Sequence, residues 1–127
     1  MGLLPILKIE DWKTEQDIAS QLILFERLYE KSQQSAIIEG NVSYITSSKE
    51  TQMVVFQYYF KGQEKTEVLQ VKQPLTIEKD SDLKLQGGSA SPSKLETFSF
   101  VDTSVEKRTR YVVQLGSSKV FKYVEKA

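Results

Sequence analysis

Basic and aromatic side chains near the C-terminus are the most plausible ligand-binding group in the sequence. The cations near the C-terminal hairpin are called the basic strip here, and Tyr111, Phe121 and Tyr123 lie among them. These cations are Lys107, Arg108, Arg110, Lys119, Lys122 and Lys126. Cations that follow a phosphate backbone, with rings on which bases stack, are typical of single-stranded nucleic-acid binding. Because Asp102, Glu106 and Glu125 lie close by, the default interpretation is a solvated strand face, and a DNA contact is the alternative.

Alternating acidic residues form a second candidate site. Glu78, Asp80 and Asp82 could converge on a hard cation such as calcium. The glycine and the distal glutamate of an EF-hand loop are missing from their required positions. The pattern therefore favours a solvated acidic turn, and we predict no metal site.

A glycine- and serine-rich loop, residues 87–94, could suggest a phosphate-binding loop or a serine nucleophile with Lys94 as its base. A phosphate loop needs a glycine directly before the lysine, and it precedes a helix, whereas a strand is predicted after this loop. A nucleophile and its base need a rigid frame, which glycine and serine do not supply. We therefore predict a plain, flexible loop here.

The composition excludes several kinds of chemistry. The 127 residues include no cysteine and no histidine, so the commonest general base, nucleophilic thiol and soft metal ligands are missing. Seventeen basic residues balance seventeen acidic ones, which argues against strong non-specific nucleic-acid binding. We predict that the chain is not an enzyme and needs no cofactor.

Residues 14–39 have the apolar periodicity of an amphipathic helix. Thr14, followed by Asp17, fits a capping box at its start, and Gly40 predicts its end. The opposite side is polar. The stripe is broad, which predicts that the helix lies on a sheet. Leu24 and Leu28 widen the stripe, and Ile37 extends its C-terminal end. Its members are Ile18, Leu22, Phe25, Tyr29, Ser32 and Ala36.

After Gly40 the apolar period changes to two, which predicts strands joined by short turns. The predicted fold is α+β, with an N-terminal amphipathic helix packed on an antiparallel β-sheet. Residues 1–127 form a single domain in this interpretation. The predicted strands lie near residues 42–46, 52–60, 66–71, 75–77, 83–85, 98–101, 111–115 and 119–124.

Two segments carry a family resemblance. Residues 21–36 (QLILFERLYEKSQQSA) and 111–120 (YVVQLGSSKV) resemble minor pseudopilins of the ComGD type. That family serves the competence, or DNA-uptake, machinery of Gram-positive bacteria and is related to the GspH-like pseudopilins of type II secretion. Its members run such a helix into a β-rich domain and end in a hairpin, where a QLG-x-x-K pattern is typical. The resemblance covers most of the chain from Gln21 on and implies a pilin-like fold.

The family also implies an N-terminal apolar helix of about 20 residues that enters the membrane. Residues 1–13 include a short apolar run from Leu3 to Ile9. We interpret them as the remnant of that helix in a chain that lacks its leader and its membrane-spanning part. Without those contacts, the isolated domain is expected to be a monomer.

The resemblance implies a structural role at the cell surface. A minor pseudopilin would assemble with other minor and major pseudopilins into a competence pilus, anchored in the membrane by its N-terminal helix, and would support DNA uptake during transformation. The competing interpretation is an extracytoplasmic binding module that contacts DNA through the basic strip.

Overall fold

One helix and eight strands make up the chain. The computed structural model describes the backbone of residues 3–115 and 119–127, and the side chains of residues 14–115 and 119–127. The helix α1 spans Leu3–Glu39. The strands are β1 (Ser43–Ser48), β2 (Met53–Phe60), β3 (Gln63–Gln70), β4 (Leu75–Ile77), β5 (Ser81–Leu85), β6 (Glu96–Asp102), β7 (Lys107–Val113) and β8 (Val120–Lys126). The predicted turn at residues 116–118 lies outside the described residues.

The boundaries of α1 agree with the sequence at one end only. The helix begins at Leu3, so Thr14 lies inside it and the predicted capping box is wrong. It ends at Glu39, as predicted, because Gly40 takes a φ of 73° that a glycine adopts without strain. In the described part of the chain, no helix combines the length and the apolar character needed to cross a membrane.

The strands form two antiparallel four-stranded sheets. In sheet A the order is β3-β2-β1-β5, and in sheet B it is β4-β6-β7-β8. The chain is α+β, but the predicted architecture, a helix packed on one antiparallel sheet as in pilins, is wrong. Successive hairpins do not continue one sheet, because β5 returns to pair with β1 while β4 pairs with β6.

The core lies where α1 meets residues of both sheets, and Phe25 is at its centre. Its ring is 5.8 Å from that of Phe56 in sheet A. It is also 5.5, 5.1 and 4.8 Å from the rings of Phe98, Phe100 and Tyr111 in sheet B. Only 1% of Phe25 is exposed. Tilted and edge-to-face pairs of this kind stabilise a core beyond the area that they bury.

The buried side of α1 is narrower than the predicted stripe. Ile18, Phe25 and Ala36 are buried as expected. Leu24 and Ile37 are 42% and 52% exposed, so the predictions that Leu24 widens the stripe and that Ile37 extends it are wrong. Neighbouring residues on a helix point about 100° apart, and neither sheet reaches around far enough to cover these positions.

The glycine-rich loop holds the C-terminal end of α1. The Gly88 amide donates a hydrogen bond of 2.7 Å to the carbonyl oxygen of Ala36. Gly87 lies so close to Gly40 that a Cβ atom would overlap the Gly40 carbonyl group. Ala90 is fully buried. Part of the loop therefore packs against the end of α1, and its flexibility stays a prediction.

Candidate interaction surface

The β7–β8 hairpin carries the basic strip, and strand alternation divides the strip between two faces. Arg108 and Arg110 point to the outer face of sheet B, together with Phe121 and Tyr123, which pair with Val112 and Arg110. Lys107 and Lys122 point to the inner face, where Tyr111 and Thr109 are buried. Lys119 lies just before β8. Lys126, opposite Lys107, also lies on the inner face, so the six cations do not form one continuous basic surface.

Carboxylates neutralise both guanidinium groups on the outer face. Arg108 Nε donates to Glu78 Oε1 at 2.8 Å, and Ser99 Oγ donates to the same oxygen at 2.8 Å. Arg110 pairs with Glu125. Partial burial alone would raise the pKa of Glu78, but the hydrogen bonds from Arg108 and Ser99 outweigh it, so the pKa is lowered. Glu78 thus stays ionised and balances Arg108.

On the inner face, Glu26 of α1 joins the helix to the hairpin. Tyr111 Oη donates a hydrogen bond of 2.7 Å to Glu26 Oε2, and Lys122 Nζ lies 3.1 Å from the same oxygen. Burial, followed by the hydrogen bond to Glu26, raises the pKa of Tyr111, so its hydroxyl remains a donor. The sequence placed Glu26 on the polar side of the helix and gave no sign of this contact.

Lys107 and Lys126 remain without a partner. They lie opposite each other on β7 and β8. Within the part of the chain that the structure describes, neither side chain makes a hydrogen bond or an ion pair. Asp102 pairs with Lys107 in the strand register, but its carboxylate accepts hydrogen bonds from Ser104. Like charges directly opposite each other repel, so an anionic group placed between these two lysines would lower the repulsion.

β8 is exposed on both faces. Phe121, Tyr123 and Val124 have 39%, 46% and 54% of their surface exposed. Val124 and Lys122 belong to the face that is buried elsewhere in sheet B. The sheet therefore extends beyond the area that α1 covers.

The backbone of β8 also has a free side. The Ala127 amide donates to the Glu106 carbonyl at 2.7 Å, and the register along β8 is unbroken. In an antiparallel pair, every second residue bonds to the neighbouring strand. Tyr123 and Glu125, in step with Ala127, therefore bond to β7. The N–H and C=O groups of Val120, Lys122, Val124 and Lys126 point away from it.

A groove runs between α1 and the inner face of the hairpin. Its volume is about 870 Å³, and its walls include Ile18, Leu22 and Ile23 on the helix and Val105 and Val124 on the sheet side. Val105, in the turn between β6 and β7, is apolar and 64% exposed. Exposed apolar residues gathered along a groove, with a polar rim, are typical of contact sites.

A smaller hollow of about 310 Å³ continues the groove, since Glu26 and Lys122 line both. The Tyr29 hydroxyl borders this hollow, is buried, and has no hydrogen-bond partner among the described residues. Burial raises its pKa, so it stays protonated and able to donate. The groove and the hollow together thus follow one flank of α1 for several turns.

The other sequence candidates are separated by the fold. Glu78 bonds to Arg108, Asp80 accepts from the Lys49 amide at 2.7 Å, and Asp82 pairs with Lys94 at 2.7 Å. The described residues contain no group of three acidic side chains placed to hold a metal ion. The Lys94 ammonium group is ion-paired with Asp82, so it is not in position to act as a base for a serine of its loop.

No protein-family model matches this chain, and no curated protein or solved structure is significantly similar to it. The distinguishing parts of the surface are the open edge of β8, the groove beside α1, and Lys107 and Lys126, which have no ion-pair partner among the described residues.

Proposed function

We propose that this chain is a minor pseudopilin, a structural and non-catalytic component that assembles with other pseudopilins in a competence pilus at the cell surface. The observation that carries the proposal is the open edge strand β8 beside the groove along α1. An apolar strand edge next to a groove supports a role in protein–protein assembly, because both invite a partner chain.

The sequence resemblance supports the same role at two places. Residues 21–36 lie on α1 and line much of the hollow and part of the groove. Residues 111–120 begin in β7 and end in β8. The resemblance is one of sequence in these two segments. The one-sheet architecture expected for a pilin is no part of the support.

Charge favours a protein partner over DNA. Arg108, Arg110 and Lys122 are each paired with a carboxylate of this chain. A nucleic acid would have to displace these carboxylates, and each displaced pair would lower the affinity for phosphate. The equal totals of acidic and basic residues suit a contact with protein in the same way.

A pull-down with the other minor pseudopilins encoded beside its gene, run with a DNA gel shift at physiological salt, tests the role. We expect the domain to retain a pseudopilin and to leave DNA unshifted. A salt-sensitive DNA shift without partner binding would favour the alternative, a DNA-binding module. Lys107→Gln should then weaken the shift, while Lys65→Gln, an exposed lysine on β3, should not. If neither pseudopilins nor DNA bind, the proposed role is wrong.

A further inference from the structure

The two sheets have four edge strands, and three of them are protected. β3 carries the polar and charged residues of 63–66 on its exposed part. β5 is covered by the loop after it, since the Ser93 backbone amide donates to the Lys84 carbonyl and Leu85 forms a β-bridge with Pro92. β4 has three residues, and the side chain of Gln52 bonds both the N–H and the C=O of Ile77. Charge, cover and short length are the usual protections of an edge.

β8 differs from these three edges. It has seven residues, and four of them, Val120, Phe121, Tyr123 and Val124, are apolar or aromatic. Among the described residues, only β7 pairs with it. An exposed, apolar edge of this length is a template on which another strand can pair.

We propose that β8 accepts an extended segment of a partner protein as a fifth strand of sheet B, and that this segment is apolar at alternate positions and acidic at one end. The proposal rests on the proposed assembly role, because it names the kind of partner segment that the same surface would bind. Main-chain hydrogen bonds to an exposed sheet edge supply the affinity in such complexes, and alternate side chains supply the specificity.

The geometry of β8 sets the chemistry of the segment. The outward N–H and C=O groups of Lys122 and Val124 would bond to its backbone. Every second side chain would enter the groove against Ile18 and Leu22, which calls for apolar residues of moderate size. At the far end of β8 a carboxylate would meet Lys126 and Lys107, whose side chains make no ion pair with the described residues.

A second copy of this chain would be a poorer occupant. β8 itself carries Lys122 and Lys126 against one acidic residue, Glu125. A second β8 would therefore bring further positive charge to an edge that already has unpaired lysines. An acidic segment lowers this repulsion instead.

Binding of synthetic peptides to the domain tests the proposal. The probe has the length of β8, alternates valine with threonine, and ends in glutamates, and a matched peptide ends in lysines. Changes in the NMR chemical shifts of the domain's backbone amides show which residues the peptide contacts. We expect the acidic peptide to bind at least about tenfold more tightly than the basic one. Its shifts should lie on β8, including Lys122 and Val124, and along the groove. Lys126→Glu should reverse the preference.

Proline at position 124 removes an outward N–H without removing a bond to β7, and edge strands tolerate proline at such positions. We expect Val124→Pro to abolish peptide binding. Val124→Asp, which keeps the strand geometry, should weaken the acidic peptide at least about tenfold. Val68→Asp is the matched control, because Val68 lies on the β3 edge with 51% of its surface exposed, close to the 54% of Val124. It should bind as the unmodified domain does.

Several results would overturn the proposal: no peptide binding, equal binding of both peptides, shifts confined to β3, or undiminished binding by both Val124 variants. A dimer that Val124→Pro abolishes would assign the edge to a second copy instead. If pseudopilins are retained equally by the Val124 variants, the β8 proposal fails while the assembly role stands. If peptides bind as expected but no pseudopilin does, the assembly role fails alone.

Discussion

Phe25→Ala should lower the free energy of unfolding by about 3–5 kcal/mol, a large fraction of the stability of an ordinary domain. Phe25 is 1% exposed, and its ring contacts rings from both sheets. Truncation would leave a cavity between α1, sheet A and sheet B that cannot close without moving all three. Urea or guanidinium unfolding of the two proteins measures the difference.

Leu24→Ala is the matched control. Leu24 is the neighbouring helix residue, is also large and apolar, and has 42% of its surface exposed. We expect it to change the free energy of unfolding by about 1 kcal/mol or less, since little packing is lost there. If the two substitutions cost the same, Phe25 is not the residue that joins the two sheets through the helix.

Gly87→Ala should lower the free energy of unfolding by about 1–3 kcal/mol. The added Cβ would overlap the carbonyl group of Gly40, which is backbone at the end of α1 and cannot rotate away. The loop would have to move, and with it the hydrogen bond from Gly88 to Ala36. Thermal or denaturant unfolding followed by circular dichroism measures the loss.

The sign of the change that Gly87→Ala makes in the free energy of unfolding shows whether Gly87 is closely packed or lies in open space. Gly87 has no positive φ, so in open space alanine would stabilise the chain by restricting its unfolded state. Ser93→Ala, an exposed change in the same loop, should alter the free energy of unfolding by less than about 0.5 kcal/mol. An equally or more stable Gly87→Ala protein would contradict the close packing of the loop on the helix.

Local patterns predicted the elements well because their causes are local. The end of α1 at Gly40 follows from one glycine, and each predicted strand segment overlaps an observed strand. Strand pairing is not local. The return of β5 to β1, and of β6 to β4, divides the strands into two sheets, and no turn residue encodes that choice. The exposure of Leu24 follows from the same division, because it depends on where the sheets end.

The candidate surface was predictable in its residues but not in its partners. Composition identified the cations of the basic strip, and alternation along β7 could have separated Arg108 from Lys107. The neutralising carboxylates come from far along the chain. Glu78 reaches Arg108 and Glu26 reaches Lys122 only after folding. The open edge of β8 likewise depends on which strand ends the sheet, a property of the whole topology.

Amide hydrogen exchange along β8 tests the open edge most directly. In the free domain, the amides of Lys122, Val124 and Lys126 should exchange rapidly, while those of Tyr123 and Glu125, bonded to β7, are protected. Addition of the acidic peptide should slow the first group and leave the second unchanged. Equal protection of all five amides in the free domain, or slowing confined to another edge, would contradict the claim that this chain binds its partner through β8.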